Sequence, residues 1–367
     1  MDCCIVIPAY RPSPALIGYA AELLAAQSGP VAVVDDGGGP TYNDIFDALA
    51  DLPGCTVLRH LQNRGKGAAI KTAIRWYRNS GADLAGIITA DCDGQHTVQD
   101  VLRLSAALAE APDSLILGVR TFGPGTPPKS AAGNRTISKL LSVLYGIELE
   151  DTQTGLRALP NRLLPTLETL SGDRYEYELN MLLQANRMCV PFVTVPIETL
   201  YFDNNAGSHF RAVTDTLRIA ALLGAGLAQY ALSSAASAIV DVAFYGLLVK
   251  FVLDGLPFST RLALAAAAAR VISSIVNYTC NRKLPYVQNE RIFPTLLRYY
   301  ALWACQLAAS ISLVWVIHEW LGVDELWAKL IVDLGLAAAS YQVQMRWVFR
   351  LDRSAGAAAL QESPVER

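Results

Sequence analysis

Short, fully apolar runs alternate with segments of helical period through the first part of the chain. Cys3–Ile7, Val31–Val34, Cys55–Arg59, Leu84–Thr89 and Leu115–Val119 read as strands, because each is a brief apolar block closed by turn-forming or charged residues. Leu16–Ala26, Gly67–Arg78 and Val98–Ala109 recur with helical spacing. Strands apolar along their whole length, interleaved with helices, predict an α/β layer with a mostly parallel, Rossmann-like sheet. Ligands of such sheets bind outside the carboxyl ends of the strands.

The pattern changes after Arg218. Gln229–Leu253, Leu262–Tyr278, Leu296–Trp320 and Leu326–Phe349 are long apolar stretches. A bilayer crossing takes about 20 apolar residues, so each is read as a span of an all-α, four-helix membrane domain. The reading divides the chain into a catalytic domain at 1–211, an amphipathic juxtamembrane linker at 212–228, a membrane domain at 229–350 and a disordered tail at 351–367. Basic residues cluster between the second and third spans (Arg282, Lys283, Arg291, Arg298) and at the end of the fourth (Arg346, Arg350, Arg353), which predicts a multi-pass protein with its catalytic domain on the cytoplasmic side of the cell or inner membrane. Asp241, Arg270, Asn277 and Asp333 interrupt the spans, and Asp241 is a candidate partner for Arg270.

Composition narrows the classes. Lys+Arg is 30 against Asp+Glu 33, so no basic surface marks a nucleic-acid binder. The 7 cysteines have neither zinc nor redox-pair spacing and read as buried thiols in a reducing compartment.

Candidate chemistry falls at strand ends. Asp91 and Asp93 follow the fourth apolar run, separated by one residue. Two neighbouring carboxylates suit a hard divalent cation, Mg²⁺ or Mn²⁺, shared with substrate phosphates; read alone, they equally make a solvated turn. Asp35 and Asp36 close the second strand, and Pro8, Ala9 and Tyr10 the first. Asn63-Arg64-Gly65-Lys66-Gly67 opens a helix, where glycines admit a ligand and the helix N-terminus favours anions; it lacks the spacing of a P-loop. Arg120 at a strand end and Arg135 at a helix start could converge on one phosphate.

Ile7-Pro-Ala-Tyr10, Val34-Asp-Asp-Gly37, Asn63-Arg-Gly-Lys-Gly67 and Asp91-x-Asp93-Gly-Gln-His96 together resemble the family 2 glycosyltransferases of the GT-A fold, in the subgroup of polyprenol- and dolichol-phosphate sugar synthases. The resemblance implies a UDP- or GDP-hexose donor contacted by Pro8, Ala9, Tyr10, Asp35, Asp36, Lys66, Asp91, Cys92 and Asp93. It implies a metal held by Asp91, Asp93 and Gln95, and an acceptor phosphate held by Arg120, Arg135 and Ser138. Asp151-Thr-Gln-Thr-Gly-Leu-Arg157 resembles the family's acceptor loop, with Asp151 orienting the acceptor, and Glu178 stands as the inward carboxylate of the following helix. Gly207-Ser-His-Phe210 resembles the segment closing the catalytic domain, although Asn204 replaces a basic residue common in relatives.

The pattern Arg270-x-x-Ser273-x-x-x-Asn277-Tyr278-x-x-Asn281-Arg282 resembles the GtrA-like membrane domain. Gln344-Met-Arg346-Trp347 is one residue short of a polysaccharide-synthase motif and reads as an interface anchor. The expected activity is inverting, metal-dependent transfer of a hexose to undecaprenyl or dolichyl phosphate, serving a cell-envelope glycan. Two alternatives stay open: a glycosyltransferase with another lipid or polysaccharide acceptor, and a transporter of lipid-linked sugar with a nucleotide-sugar-binding domain. A homo-oligomer is also open.

Overall fold

The structure, a computed structural model, describes residues 2–26, 29–120, 128–198, 212–283, 292–323 and 325–350. Residues 121–127, Asn204, Gly207–Phe210 and the tail at 351–367 lie outside the described residues. The chain divides into two compact units, residues 1–142 with 147–220, and 143–146 with 221–367.

The first unit is built on seven strands: β1 (Cys4–Ala9), β2 (Val31–Asp35), β3 (Cys55–Arg59), β4 (Gly86–Thr89), β5 (Leu115–Arg120), β6 (Arg157–Pro160) and β7 (Phe192–Ile197). Their order across the sheet is β3-β2-β1-β4-β6-β5-β7. All neighbours are parallel except β6, which runs antiparallel to both β4 and β5. The expected sheet is therefore mixed at β6 and parallel elsewhere. Because β2 and β4 flank β1 on opposite sides, the strand order reverses there, and a crevice opens at the carboxyl ends of β1 and β4.

Helices α1 (Ala15–Ala26), α2 (Asn43–Ala50), α3 (Lys66–Ser80), α4 (Val98–Glu110), α5 (Pro128–Tyr145), α6 (Leu164–Thr169) and α7 (Glu176–Arg187) complete the unit. The period of 2 along β1 decides which helix meets which face. Ile5 and Ile7 join Leu16, Leu23, Phe46, Leu49, Val101 and Leu104 in one core. The other face of β1 and β2 is covered by α3, which buries Ile70, Ala73, Ile74 and Tyr77. Ile70 and Ile74 each contribute about 1.5–3 kcal/mol when fully buried.

Glycine sets both ends of α3. Gly65 precedes it at φ 103°, where an added Cβ would lie 2.4 Å from the Asp173 carbonyl oxygen. Gly81 closes it at φ 68°, in the left-handed conformation typical of helix ends. Thr97 caps α4: its hydroxyl accepts from the Asp100 N–H at 3.1 Å and donates to the Asp100 carboxylate at 2.7 Å.

The second unit contains α8 (Ala212–Leu247), α9 (Phe258–Asn281), α10 (Ile292–Leu321) and α11 (Glu325–Val343). A π turn follows α8 at Leu248–Val252 and another follows α11 at Gln344–Val348. The expected linker at 212–228 is continuous with the first apolar stretch in α8. One helix among the described residues, Gly224–Val252, is long and apolar enough to cross a membrane by length and composition. The unit is inverted relative to a water-soluble bundle. Leu232, Ile239, Val242, Leu264, Val271 and Leu334 are exposed, whereas Ser233, Ser273, Asn281, Thr295, Ser340 and Gln344 are buried.

Candidate active site

The acidic turn after β4 is anchored by the Ala90 N–H, which donates to Val6 O at 3.0 Å. Just beyond, Lys66 Nζ lies 2.6 Å from Asp91 Oδ1 and 2.8 Å from Glu178 Oε1. His96 Nε2 lies 3.2 Å from Asp91 Oδ2. Burial works to raise the Asp91 carboxyl, but the Lys66 ammonium and His96 overcome it, so its pKa lies well below the usual range. Burial likewise opposes the Lys66 charge, and Asp91 with Glu178 outweighs it, raising the ammonium pKa.

Asp93 is placed differently. Gly94, at φ 77°, turns the backbone back so that Gln95 N–H donates to Asp93 Oδ1 at 3.1 Å. Burial, and then the Asp91 charge, raise the Asp93 carboxyl pKa. A carboxylate whose ionisation is disfavoured by a like charge gains from a nearby cation, and the Asp91, Asp93 and Gln95 oxygens are hard donors; the residues fit a divalent ion. Among the described residues no group of three or more His, Cys, Asp or Glu side chains is arranged to enclose a metal. An ion here would therefore take part of its shell from elsewhere, as Mg²⁺ does with phosphates and water. The Cys92 thiol is pushed up to about 12 by burial and then by the two aspartates, which leaves it protonated and inert at neutral pH.

At the end of β2 the carboxylates serve the protein itself. Asp36 Oδ1 accepts from Arg64 N–H at 2.9 Å and from His60 Nδ1 at 2.7 Å, and Asp36 Oδ2 accepts from Gly65 N–H at 2.8 Å. A carboxylate only accepts, so His60 Nδ1 carries the proton and, in the neutral ring, Nε2 accepts from Thr72 Oγ1 at 2.9 Å. Asp35 Oδ1 accepts from Gly38 N–H at 2.9 Å. Asp36, expected to contact the donor, accepts these three bonds and so fixes the loop that delivers Lys66. Pro8 and Ala9 are buried within β1, and half-buried Tyr10 lies beneath the Arg11 guanidinium at 5.0 Å.

Arg120, at the end of β5, is gripped by fully buried Asp151. Its Nε is 2.6 Å from Oδ2, its Nη2 2.9 Å from Oδ1, and its backbone N–H donates to Oδ2 at 3.2 Å. One edge of the guanidinium fork expected at a phosphate is thus held by an internal carboxylate. On α5, Asn134 donates to Glu150 O at 2.8 Å and accepts from Thr152 N–H at 3.1 Å, while Ser138 Oγ lies 3.3 Å from Thr152 Oγ1. Asn134 and Ser138, four apart, share the helix face on this loop. Arg135 is exposed and takes no part in the Arg120–Asp151 pair.

The segment from Asp151 to Arg157 joins the two clusters. Arg157 is almost completely buried and donates to Thr154 O at 2.9 Å, Thr152 O at 3.1 Å and Glu178 O at 2.6 Å. Thr89 Oγ1 donates to Gly155 O at 2.8 Å, which seats Gly155 against the acidic turn. A Cβ on Gly155 would fall 2.4 Å from Asp91 Oδ2 and 2.7 Å from Lys66 Nζ, so any other residue there would displace the ends of both side chains. Asn134 and Arg157 as loop organisers, and His96 as a partner of Asp91, were not singled out from sequence. The signal for Arg157 was present: a charged residue inside an otherwise buried run has to spend its donors on nearby carbonyls.

In the second unit, Asp241 Oδ1 accepts from Ser273 Oγ at 2.9 Å, and Asp241 Oδ2 lies 3.8 Å from Arg270 Nη2. The two charges expected to pair do so. Asn281 bonds Gln344 at 3.0 Å, Gln344 bonds Ser340 at 3.1 Å, and Ser340 bonds Gln306 at 3.3 Å. Gln344, Ser340 and Gln306 border a cavity of about 770 Å³ whose wall also includes Ser237, Arg270 and Asn277.

The chain is a glycosyltransferase joined to a membrane domain. Residues 4–161 match the family described as Glycosyl transferase family 2, and residues 229–349 match the GtrA/DPMS transmembrane domain. The chain thus joins a glycosyl transferase family 2 domain to a GtrA-type domain.

It is similar to UDP-N-acetylglucosamine–dolichyl-phosphate N-acetylglucosaminyltransferase of Methanococcus voltae, 27% identical over 215 residues that cover 54% of this chain and 85% of that protein. It is also similar to dolichyl-phosphate hexose transferase of Haloferax volcanii, 27% identical over 180 residues, 48% of this chain and 75% of that one. Among solved structures it resembles glucosyl-3-phosphoglycerate synthase from Mycobacterium tuberculosis, determined with Mn²⁺, UDP-glucose and phosphoglyceric acid. The TM-score is 0.43 at 17% identity, covering 59% of this chain and 78% of that one.

Proposed function

We propose that the protein transfers a hexose from a nucleoside-diphosphate sugar to a polyprenyl phosphate at the cytoplasmic face of the membrane, with inversion. The observation that carries this reading is the segment Asp151–Arg157, which ties an acidic turn suited to a metal–diphosphate to an arginine suited to an acceptor phosphate. The names of the two dolichyl-phosphate relatives support the acceptor class.

Asp91, Asp93 and Gln95 would hold Mg²⁺ or Mn²⁺, which offsets charge on the departing diphosphate. Pro8, Ala9 and Tyr10 line the donor side through β1, and the Asp36 clamp presents Lys66 to the cleft. Asp151 aims Arg120 by one edge of its guanidinium, and Ser138 and Arg135 lie on the adjoining helix. A phosphate monoester is largely dianionic at neutral pH, so the acceptor needs positioning more than a strong base. The membrane unit, four spans with apolar faces outward and polar groups inward, keeps a long-chain lipid in the bilayer, where extraction would cost about 0.8 kcal/mol per CH₂.

The test uses the purified full chain, a panel of UDP- and GDP-hexoses and a polyprenyl phosphate, with detection of the lipid product. Product formed in Mg²⁺ or Mn²⁺ and lost in EDTA is expected. Turnover only with a non-phosphorylated acceptor, or full activity in EDTA, overturns it. The polar cavity favours a second reading, in which the membrane unit also handles the lipid-linked sugar. An Asp241→Ala, Asn277→Ala double variant in liposomes should then lose movement of product between leaflets while synthesis persists.

A further inference from the structure

Lys66 stands where a ligand-binding lysine would not be expected. It is not extended toward solvent; its side chain is only 16% exposed, and its ammonium is bound by two carboxylates. Asp91 has both oxygens engaged, one by Lys66 and the other by His96. Asp93, across the same turn, has its charge opposed by burial and by Asp91. A divalent ion drawn to Asp93 and Asp91 meets the Lys66 ammonium already on Asp91. At a partly buried position that repulsion is weakly screened.

We infer that Lys66 is an internal competitor of the divalent cation for Asp91, and that Glu178 is the carboxylate that retains Lys66 when Asp91 turns to the metal. The inference rests on the reading of this cleft as a metal–diphosphate site, and it assigns Lys66 and Glu178 as positioning residues. Three features support it. Glu178 Oε1 is only 2.8 Å from Lys66 Nζ, so the ammonium can leave Asp91 without losing its whole counter-charge. Gly155 leaves space beside Asp91 Oδ2 and Lys66 Nζ that any side chain would fill. The loop before Lys66 is fixed by the Asp36 clamp, so the exchange is confined to the lysine side chain.

The consequence has a sign that a merely structural role would not give. If Lys66 only held Asp91 in place, its removal would weaken metal binding. If Lys66 competes, Lys66→Met tightens it, and Glu178→Gln weakens it, because the ammonium then has Asp91 alone. Lys66→Arg, which keeps the charge, stays near wild type. The measurement is Mn²⁺ titration of the purified full chain without nucleotide, read by electron paramagnetic resonance of free Mn²⁺, with thermal unfolding as the folding control.

Relief of one poorly screened charge pair predicts tightening of at least about tenfold for Lys66→Met. Wild type that binds no Mn²⁺ at millimolar concentration defeats the metal reading and this inference with it. Wild type that binds, with Lys66→Met unchanged or weaker, overturns the competition alone. Should Lys66→Met fail to fold, Glu178→Gln decides, and unchanged or tighter binding in that variant also overturns it.

Discussion

Replacing Asp36 distinguishes a residue built for the ligand from one built for the loop. Its carboxylate accepts three hydrogen bonds, from Arg64 N–H, Gly65 N–H and His60 Nδ1. Arg64 is exposed, so water can take over that donor in Asp36→Ala. Gly65 and His60 are buried, and both donors are stranded. A stranded buried donor costs about 1–3 kcal/mol, so the loss is about 2–6 kcal/mol. For a unit of this size about 2–4 °C of melting temperature goes with each kcal/mol, so a central value of about 4 kcal/mol lowers the melt by about 8–16 °C.

Asp36→Asn keeps one acceptor oxygen and turns an NH₂ toward a donor, so it should fall between wild type and Asp36→Ala. The assay is thermal unfolding of the full chain in detergent, paired with nucleotide-sugar titration well below the melt. The clamp predicts a loss of stability in both variants. If Asp36→Asn melts like wild type and loses only donor affinity, the carboxylate serves the ribose and the clamp argument is wrong.

Four further outcomes are expected. Asp151→Ala removes the buried carboxylate that grips the largely buried Arg120 guanidinium and should destabilise the catalytic unit by about 3–5 kcal/mol in denaturant titrations; Arg120→Lys should raise the acceptor KM with donor affinity retained, and equal loss of donor affinity would move Arg120 to the donor site. Gly155→Ala forces Asp91 and Lys66 apart and should cut kcat at least about tenfold in a folded protein, as misplacement at a reacting centre does; wild-type kcat would show that the pair has slack. The pH responses of metal and fold should separate, because the Asp93 pKa is raised and that of Asp91 lowered. Mn²⁺ affinity needs ionised Asp93 and should weaken as pH falls through a range above 3.8, while the stability from Asp91 is present above its unfolded pKa and lost only as pH falls through its lower folded value. Coincident loss in Mn²⁺ binding and circular dichroism would contradict this.

What could be read from the chain depended on whether a residue's partner is local. Strands β1, β2, β4 and β5 are legible because a strand covered on both faces is apolar throughout, half-buried edge strand β3 because its short apolar block ends at a charge, and helices α3 and α4 because their period and end residues agree. Strand β6 is not. Arg157-Ala-Leu-Pro160 opens on a charge and closes on a residue that cannot donate, and nothing local says that it inserts antiparallel between β4 and β5. The same limit applied to the site. Asp36, Lys66, Arg120 and Asp151 were all recognisable as charged groups at strand and helix ends, yet their partners come from distant parts of the chain. Whether a carboxylate meets a ribose or a backbone N–H is decided by a displacement of a few ångströms that no spacing encodes. Glu178 was legible as inward-facing only through the family resemblance of its helix; that it faces Lys66 was not.

The membrane unit shows a second kind of limit. Mean hydropathy along a helix counts residues without regard to face, and it selects only Gly224–Val252 among the described residues. The faces carry a clearer signal. In α9, Ser273, Asn277 and Asn281 are spaced four apart and meet Asp241, Tyr299 and Gln344, while Leu264, Val271 and Ile275 are exposed. Polar stripes of this kind would point outward on a helix bathed in water. Here they bond across helices, and the solvent-facing surface is apolar. In water that arrangement would expose large apolar faces at a cost proportional to their area; in lipid it removes the cost and satisfies the polar groups internally. The inversion, more than the count of apolar residues, is what makes a bilayer the medium this unit is built for.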